Sequence, residues 1–410
     1  MSPSEQATHE TNFTRAMIAT RCPLSMFEHP LWKHALVSLR KSFKPPGRKA
    51  VGGRLLDQEY NMIMKAANQK IKEAPALGLT SDGWKNTRGD GLVNFVILTP
   101  EPVFFKIVDT KDAREDGEYV AAEIIKIIDE IGDKKFCLVI TDNAAYNKVA
   151  WRIIEEKYPH ITAVGDPAHA LNLLMHDMLE ITSFLKVEKM SKMLYKGIKL
   201  HKRPLAYFNK ERENIFGKQS KTLKLPSATR FSGTLLFFES IQCNKRALES
   251  TVLAGTSLKK PRDPEEQKKF YIPPKTRDIC LDTNYYWPRL SAWISVLKPI
   301  SVALALVESD SVLLSDIPEA FYSIKTECTA ALSEQPDLKK FTARIQSMIR
   351  ERKQFVCKDI HFAANLLDPR YQGRSLNREE KVGAAEFIAK MCDQLLYTAE
   401  QKEQVNNFYF

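Results

Sequence analysis

Between Leu77 and about Met178 the chain alternates strand-like and helix-like stretches, and that alternation restricts it to an α/β core with few possible topologies. "LGLTSDGWKN" and "GLVNFVILTP" read as strands, and "EPVFFKIVDT" returns as a third after a turn centred on Pro100. "GEYVAAEIIKIIDEIG" is amphipathic, with Val120, Ile124, Ile127 and Ile128 on one side of a helix. "FCLVITD" is a short apolar strand of the buried type, followed by the helix "YNKVAWRIIEEKY". "HITAVGDPAH" is a fifth strand leading into the helix "ALNLLMHDML". The predicted order is βββαβαβα.

The fourth of these strands raises a chemical question, because its apolar run ends on Asp142. One answer is local: Asp caps the segment that follows. Another comes from topology. Three antiparallel strands, a helix, a parallel strand, a helix and a further strand is the order of the RNase H-like fold, whose first and fourth strands lie side by side at the sheet centre. Asp82 in "TSDGW" and Asp142 would then face each other from two central strands. Two such carboxylates suit Mg²⁺ or Mn²⁺, with water and phosphate completing an oxygen shell. A metal pair of that kind activates the attacking oxygen and stabilises the leaving one in phosphodiester cleavage. Asp82 in Ser-Asp-Gly also fits a plain turn.

Charge narrows the partner. The chain carries +11, and Lys186–Lys224 holds twelve Lys/Arg against Glu188, Glu211 and Glu213, a net of +9. Lys33–Arg54 adds +7 with no acid, so the rest of the chain is −5. Two segments carrying more than the whole excess favour a polyanion, with nucleic acid first. The 44% apolar and 27% charged composition is that of a globular protein. The apolar run Pro299–Val307 is too short to span a bilayer, so no membrane partner is expected. Seven cysteines without close pairs point to reduced thiols in an intracellular compartment. No zinc finger is expected, since Cys22 is the one cysteine before Cys137. Phosphate-binding Gly-rich loops, metalloprotease His motifs and Gly-x-Ser-x-Gly elbows are absent. Trp84, Trp287 and Trp293 sit among apolar neighbours and are expected in the core.

"SDGWKN", "VITDNAAYNKVAWRIIEEKYPHI", "GDPAHALNLL", "TRFSG" and "FAANLLDPRY" occur in this order between Phe27 and Tyr371. Together they resemble the hAT superfamily of DNA transposases, and within it the transposase-like proteins grouped under domain of unknown function 659. The resemblance implies an α/β RNase H-like core with a large all-α insertion, a mixed sheet, and DNA cleavage by an acidic triad. It implies Asp82 and Asp142 as the first two acids and metal ligands. Asp166 and His169 match a Cys/Asp-x-x-His motif that helps hold DNA at the cleavage point, although His169 could simply pack or cap a helix. Arg230 and Phe231 stand where the family has an Arg-Trp pair whose Trp stacks on a base; Phe keeps the stacking face and loses the indole donor. Arg230 could equally be one more solvated cation.

The expected organisation is a disordered start (1–26), a small basic region of two short helices broken at Pro45, Pro46 and Gly52–Gly53 (27–74), the core (75–180), the helical insertion (181–365) and a C-terminal segment returning to the core (366–410). "KKPRDPEEQKKFYIPPK" interrupts the insertion as an exposed loop, and its "KKPR" is a weak nuclear signal. The family's third acid lies in a Ser-rich C-terminal segment that also drives dimerisation. No match to it follows "LLDPRY", and Glu379, Glu380 and Glu386 fit no motif. The expectation is therefore a nuclear, transposase-derived DNA-binding protein without strand cleavage, its oligomeric state left open. Lys196, Lys199, Lys202 and Arg203 are the cations expected on phosphates. The alternatives are an active metal-dependent transposase or nuclease, and a protein-interaction scaffold.

Overall fold

The computed structural model describes residues 1–99, 101–110, 116–217, 220–225, 232–258, 268–334 and 336–394. The chain is mostly helical and carries one open mixed sheet of five strands. These are β1 (Leu77–Lys85), β2 (Gly91–Leu98), β3 (Pro102–Asp109), β4 (Phe136–Thr141) and β5 (Thr162–Gly165), in the order β3-β2-β1-β4-β5. Helices Gly117–Ile131, Asn147–Lys157 and Pro167–Leu179 follow β3, β4 and β5. The predicted βββαβαβα order is thus the observed one. Two compact units divide the chain, Met1–Val139 and Ile140–Phe410, and the division falls within β4.

In the first unit β1, β2 and β3 form an antiparallel meander, with Asp82 opposite Asn94 and a register shift between Phe95 and Val96. Helix Gly117–Ile131 begins where the Asp116 carboxylate accepts the Tyr119 N–H at 3.0 Å and buries Ala121, Ile124, Ile127 and Ile128. It stops at Gly132, whose φ of 104° would strain any other residue.

The N-terminus departs from expectation: Pro3–Ala19 is a helix where disorder was anticipated. Its start is written in the sequence as Ser2-x-x-Glu5. The Ser2 hydroxyl accepts the Glu5 N–H at 3.2 Å, and the Glu5 carboxylate accepts the Ser2 N–H at 2.7 Å. Met17 from this helix joins Phe27, Leu36, Phe43, Val51 and Leu55 in a small core, which offsets the entropy of ordering the segment. Helices Pro30–Leu39 and Leu56–Glu73 follow, the second much longer than expected, with non-helical backbone at Gly53 on its approach. The basic run Lys33–Arg54 is also less naked than its sequence. Glu5 pairs with Arg40 at 3.1 Å and Glu10 with Arg54 at 2.7 Å.

The second unit is built around helix Tyr286–Val307, which packs against Pro167–Leu179, Ser232–Cys243 and Asp316–Ser333. Its 22 residues are long and apolar enough to cross a membrane, with a mean hydropathy of 1.9 over the most apolar 18. That corrects the expectation of no such stretch; the apolar face extends well upstream of Pro299. Half of its most apolar window is buried inside the unit, however. Trp293 is fully buried against Phe184, ring centroids 5.3 Å apart, and Trp287 is buried with its indole N–H on the Cys280 carbonyl. These contacts are those of a core helix. Cys280, Cys328, Cys357 and Cys392 are buried, as small apolar residues would be.

The "LLDPRY" segment closes the unit. The buried Asp316 carboxylate accepts the Leu313 N–H at 2.8 Å and the Tyr371 hydroxyl at 2.6 Å, and pairs with Arg370 at 2.9 Å. Arg370 also reaches Asp368 at 2.7 Å. Buried Asn365 donates to the Ser315 carbonyl at 2.9 Å. Helix Arg378–Gln394 packs on Asp359–Leu367 through Ala363, Ala384, Ile388 and Cys392. The expected boundary between residues 365 and 366 therefore falls inside a helix, Asp359–Leu367.

His361 on that helix is 1% exposed. Its Nδ1 accepts the Lys358 N–H at 3.2 Å, and burial depresses its pKa from the ordinary 6.5 to about 4. A depressed histidine contributes stability above pH 6.5 that is lost as pH falls toward 4, because only the unfolded chain takes up the proton. Lowering the pH from 7 to 4.5 should cost about 2–3 kcal/mol through this group. Urea midpoints at the two pH values measure the loss, and His361→Gln should flatten it. An unchanged pH slope in that variant would remove His361 as the source.

Candidate nucleic-acid interface and carboxylate edge

In the first unit Asp82 lies in the last four residues of β1, all exposed. Side chains alternate along a strand, so Asp82 and Trp84 share a face. Trp84 is 41% exposed, which corrects its assignment to the core. The hydrophobic cover of β1 ends at Ser81, and Trp84 stands near the tip of the β1–β2 hairpin. Lys85 and Gly91 close that hairpin around a turn in which the Asn86 side chain accepts the N–H groups of Arg88 and Asp90.

The second unit contains the carboxyl edge of β4 and β5. Thr141 ends β4, and its carbonyl accepts the Asp166 N–H at 2.8 Å, bringing the two strand ends together. Asp142, one residue beyond the strand, is half-buried. Its Oδ1 accepts the Ala144 N–H at 3.0 Å and the Asn147 side-chain amide at 2.5 Å. Asp142 therefore does not cap the helix as the local reading expected: the cap position belongs to Tyr146, and Asp142 instead holds the turn before it. Asn143 donates to the Asp166 carbonyl at 3.2 Å. The Oδ1 atoms of Asn143 and Asn147 are buried with no hydrogen-bond partner among the described residues.

Asp166 caps helix Pro167–Leu179 by accepting the Ala168 N–H at 2.8 Å, and His169 stands half-buried in the first turn. Asp142, Asp166 and His169 therefore occupy one edge. Further along the helix, Asp177 is held by Arg352 at 2.6 Å and His176 faces Glu180 at 3.7 Å.

The family-implied metal fits this edge poorly. Asp142 and Asp166 each have an oxygen already engaged by a backbone N–H, and with amide oxygens they make a thin set for a hard cation that favours several oxygen ligands. Among the described residues no group of three or more His, Cys, Asp or Glu side chains is placed to hold a metal. Of the acids near the C-terminus, Glu380 is committed to Lys353 at 2.7 Å, while Glu379 and Glu386 are exposed.

The second basic run is organised by helix geometry. Lys186, Lys189, Lys192, Lys196 and Lys199 recur every three or four residues along Thr182–Lys199, so they share one side. Val187, Leu194 and Ile198 are buried on the other. Lys202 and Arg203 begin the next helix, Lys202–Phe216. Lys186, Lys189, Lys196, Lys202 and Arg203 are exposed, and Lys199 is half-buried with its Nζ 3.3 Å from Thr222 Oγ1. Lys192 is balanced by Glu188 at 2.7 Å. Arg203 donates to the Lys268 carbonyl at 3.0 Å, and among the described residues it is in no ion pair. Arg230, Phe231 and the "KKPR" loop lie outside the described residues.

Sequence reasoning passed over Trp151 and Phe355. The Trp151 indole N–H bonds Thr141 Oγ1 at 2.9 Å, behind the end of β4, and the Phe355 ring lies 5.9 Å from it. Trp151 was inside a quoted motif but was given no role of its own. Phe355 is 204 positions away in sequence, and nothing local marks it.

Residues 46–194 match the family model described as Domain of unknown function (DUF659). That stretch runs from the Gly52–Gly53 kink through all five strands into the basic helix, and it supports a DUF659 assignment for this part of the chain. No curated protein matches the sequence.

Proposed function

We propose that this chain is a transposase-derived protein of the hAT type, with an RNase H-like core, that binds DNA in the nucleus and does not cut it. The observation that carries the binding half is the row of cations at three- and four-residue intervals on Thr182–Lys199, continued by Lys202 and Arg203. A solvated face needs no such run of one sign, whereas a phosphate backbone rewards each cation by counterion release. Support for the core comes from the strand order β3-β2-β1-β4-β5 and the βββαβαβα sequence of elements. The test of binding is fluorescence anisotropy with duplex DNA. Affinity no better than that of an unrelated protein of equal net charge would sink it and favour a protein-interaction scaffold.

The non-cutting half rests on the state of Asp142, whose Oδ1 is engaged by Ala144 and Asn147. Duplex incubated with Mg²⁺ or Mn²⁺ should emerge uncut or barely nicked on a gel. Robust metal-dependent nicking, lost in Asp142→Asn, would overturn this and make the chain an active transposase or nuclease.

A further inference from the structure

The carboxyl edge of β4 and β5 borders an open depression of about 580 Å³, the size range of small-ligand sites. Its floor is aromatic. Trp151 is anchored to Thr141 at the end of β4, and Phe355 packs beside it. Phe355 also lies against the end of β5: a Cβ on Gly165 would come within 3.0 Å of its ring and collide with Asn143 Oδ1. Lys148 rises on one side from helix Asn147–Lys157, its Nζ 5.0 Å from the Phe355 ring centroid. Lys358, on the other side, immediately precedes helix Asp359–Leu367.

The charges around this floor are not equivalent. Arg152 is paired with Glu156 at 2.8 Å, and Glu155 accepts the Ala163 N–H at 3.0 Å. Lys148 and Lys358 are exposed, and among the described residues neither is in an ion pair. Glu155 keeps its charge, so a ligand meets the cations Lys148 and Lys358 beside aromatic faces, with one carboxylate in the lining. In open α/β sheets ligands sit outside the carboxyl ends of the strands, and the two aromatic residues of this depression reach those ends of β4 and β5.

We propose that the depression binds one unpaired nucleotide of a single DNA strand, its phosphate between Lys148 and Lys358 and its base against Phe355. Lys148 must swing off the ring to admit the base, which an exposed lysine does readily. A duplex cannot present a base this way without unstacking it, so the site selects single-stranded over double-stranded DNA. The inference deepens the DNA-binding reading and rests on it, but it uses residues distinct from the cation row.

The test titrates the full chain with a labelled short oligothymidylate and with a duplex of equal length. The variants are Lys148→Ala/Lys358→Ala, Phe355→Leu, and the quadruple alanine variant of Lys196, Lys199, Lys202 and Arg203. Loss of the two lysines should weaken single-strand binding about tenfold, and Phe355→Leu about as much, given what one stacked base contributes. Duplex affinity should stay within about twofold in both. Far-ultraviolet circular dichroism and melting confirm that each variant is folded. Equal loss on both probes, or no loss on the single strand, overturns the proposal and leaves the cation row standing. If the quadruple variant also spares duplex affinity while the lysine pair still abolishes single-strand binding, the proposal holds and the cation row is wrong. Absence of wild-type binding to either probe overturns both. Polyglutamate competing as well as oligothymidylate would reduce the site to a polyanion patch and overturn the nucleotide assignment.

Discussion

Replacing Lys196, Lys199, Lys202 and Arg203 together with alanine should flatten the salt dependence of duplex binding by about 3 to 4 units on a log–log plot. The wild-type slope should be about −5, which corresponds to roughly six phosphates neutralised at −0.9 each. Only some of the twelve cations in Lys186–Lys224 can face one backbone. The geometry says which: Lys196 and Lys199 share the side opposite the buried Leu194 and Ile198, and Lys202 and Arg203 follow directly. The hydrogen bonds of Lys199 to Thr222 and of Arg203 to the Lys268 carbonyl hold the side chains without neutralising them. All four changes lie at the surface, away from the packed core, so the fold should persist. Anisotropy titrations over a range of salt give the slope directly. A slope unmoved by the four changes would show that this row does not track phosphate.

The second large effect concerns stability. Asp316→Ala should cost about 3 kcal/mol, near the lower end for breaking a buried charged network, since Arg370 is half in solvent and keeps Asp368 as a partner. What is lost is the acceptor for the Leu313 N–H, the Tyr371 hydroxyl and the Arg370 guanidinium at one point. In a unit of this size the melting temperature should fall by about 6–10 °C. Tyr371→Phe should cost only about 1 kcal/mol, as one half-buried hydrogen bond does. The two changes should be non-additive, because they remove the same contact. Thermal denaturation of the two single variants and the double variant measures all three quantities. A melting point for Asp316→Ala within about 2 °C of the wild type would mean the network is not a stabilising element.

The central elements were legible because their residues carry the signal locally. An apolar run such as "FCLVIT" can only be a buried segment, and Val120 to Ile128 repeat at the helical period. The N-terminal helix was equally legible, since Ser2 and Glu5 stand at the spacing of a capping box, but the polar composition after it suggested disorder. Trp84 misled because it was grouped with the apolar residues of β1, although Asp82, Gly83, Lys85 and Asn86 surround it and the strand runs past its cover. For helix Tyr286–Val307, Lys298 and Pro299 broke the apparent run, although the helix continues through both. Other features had no local mark. Asp316 and Tyr371 are 55 positions apart, and the pairing of Trp151 with Phe355 depends on how a distant helix returns to the strand ends. "LLDPRY" was read as a family motif, whereas its Asp, Arg and Tyr side chains are engaged in joining helices.

Asp142 has a consequence for how such chains change over time. Its carboxylate sets the turn after β4 by holding Ala144 and Asn147, and Asn147 opens the helix that carries Trp151. Selection for correct folding alone would therefore retain an aspartate here after any strand-cutting ability had been lost. A drifting descendant would shed its other acids first and keep this one. Its persistence would then register the demands of a turn.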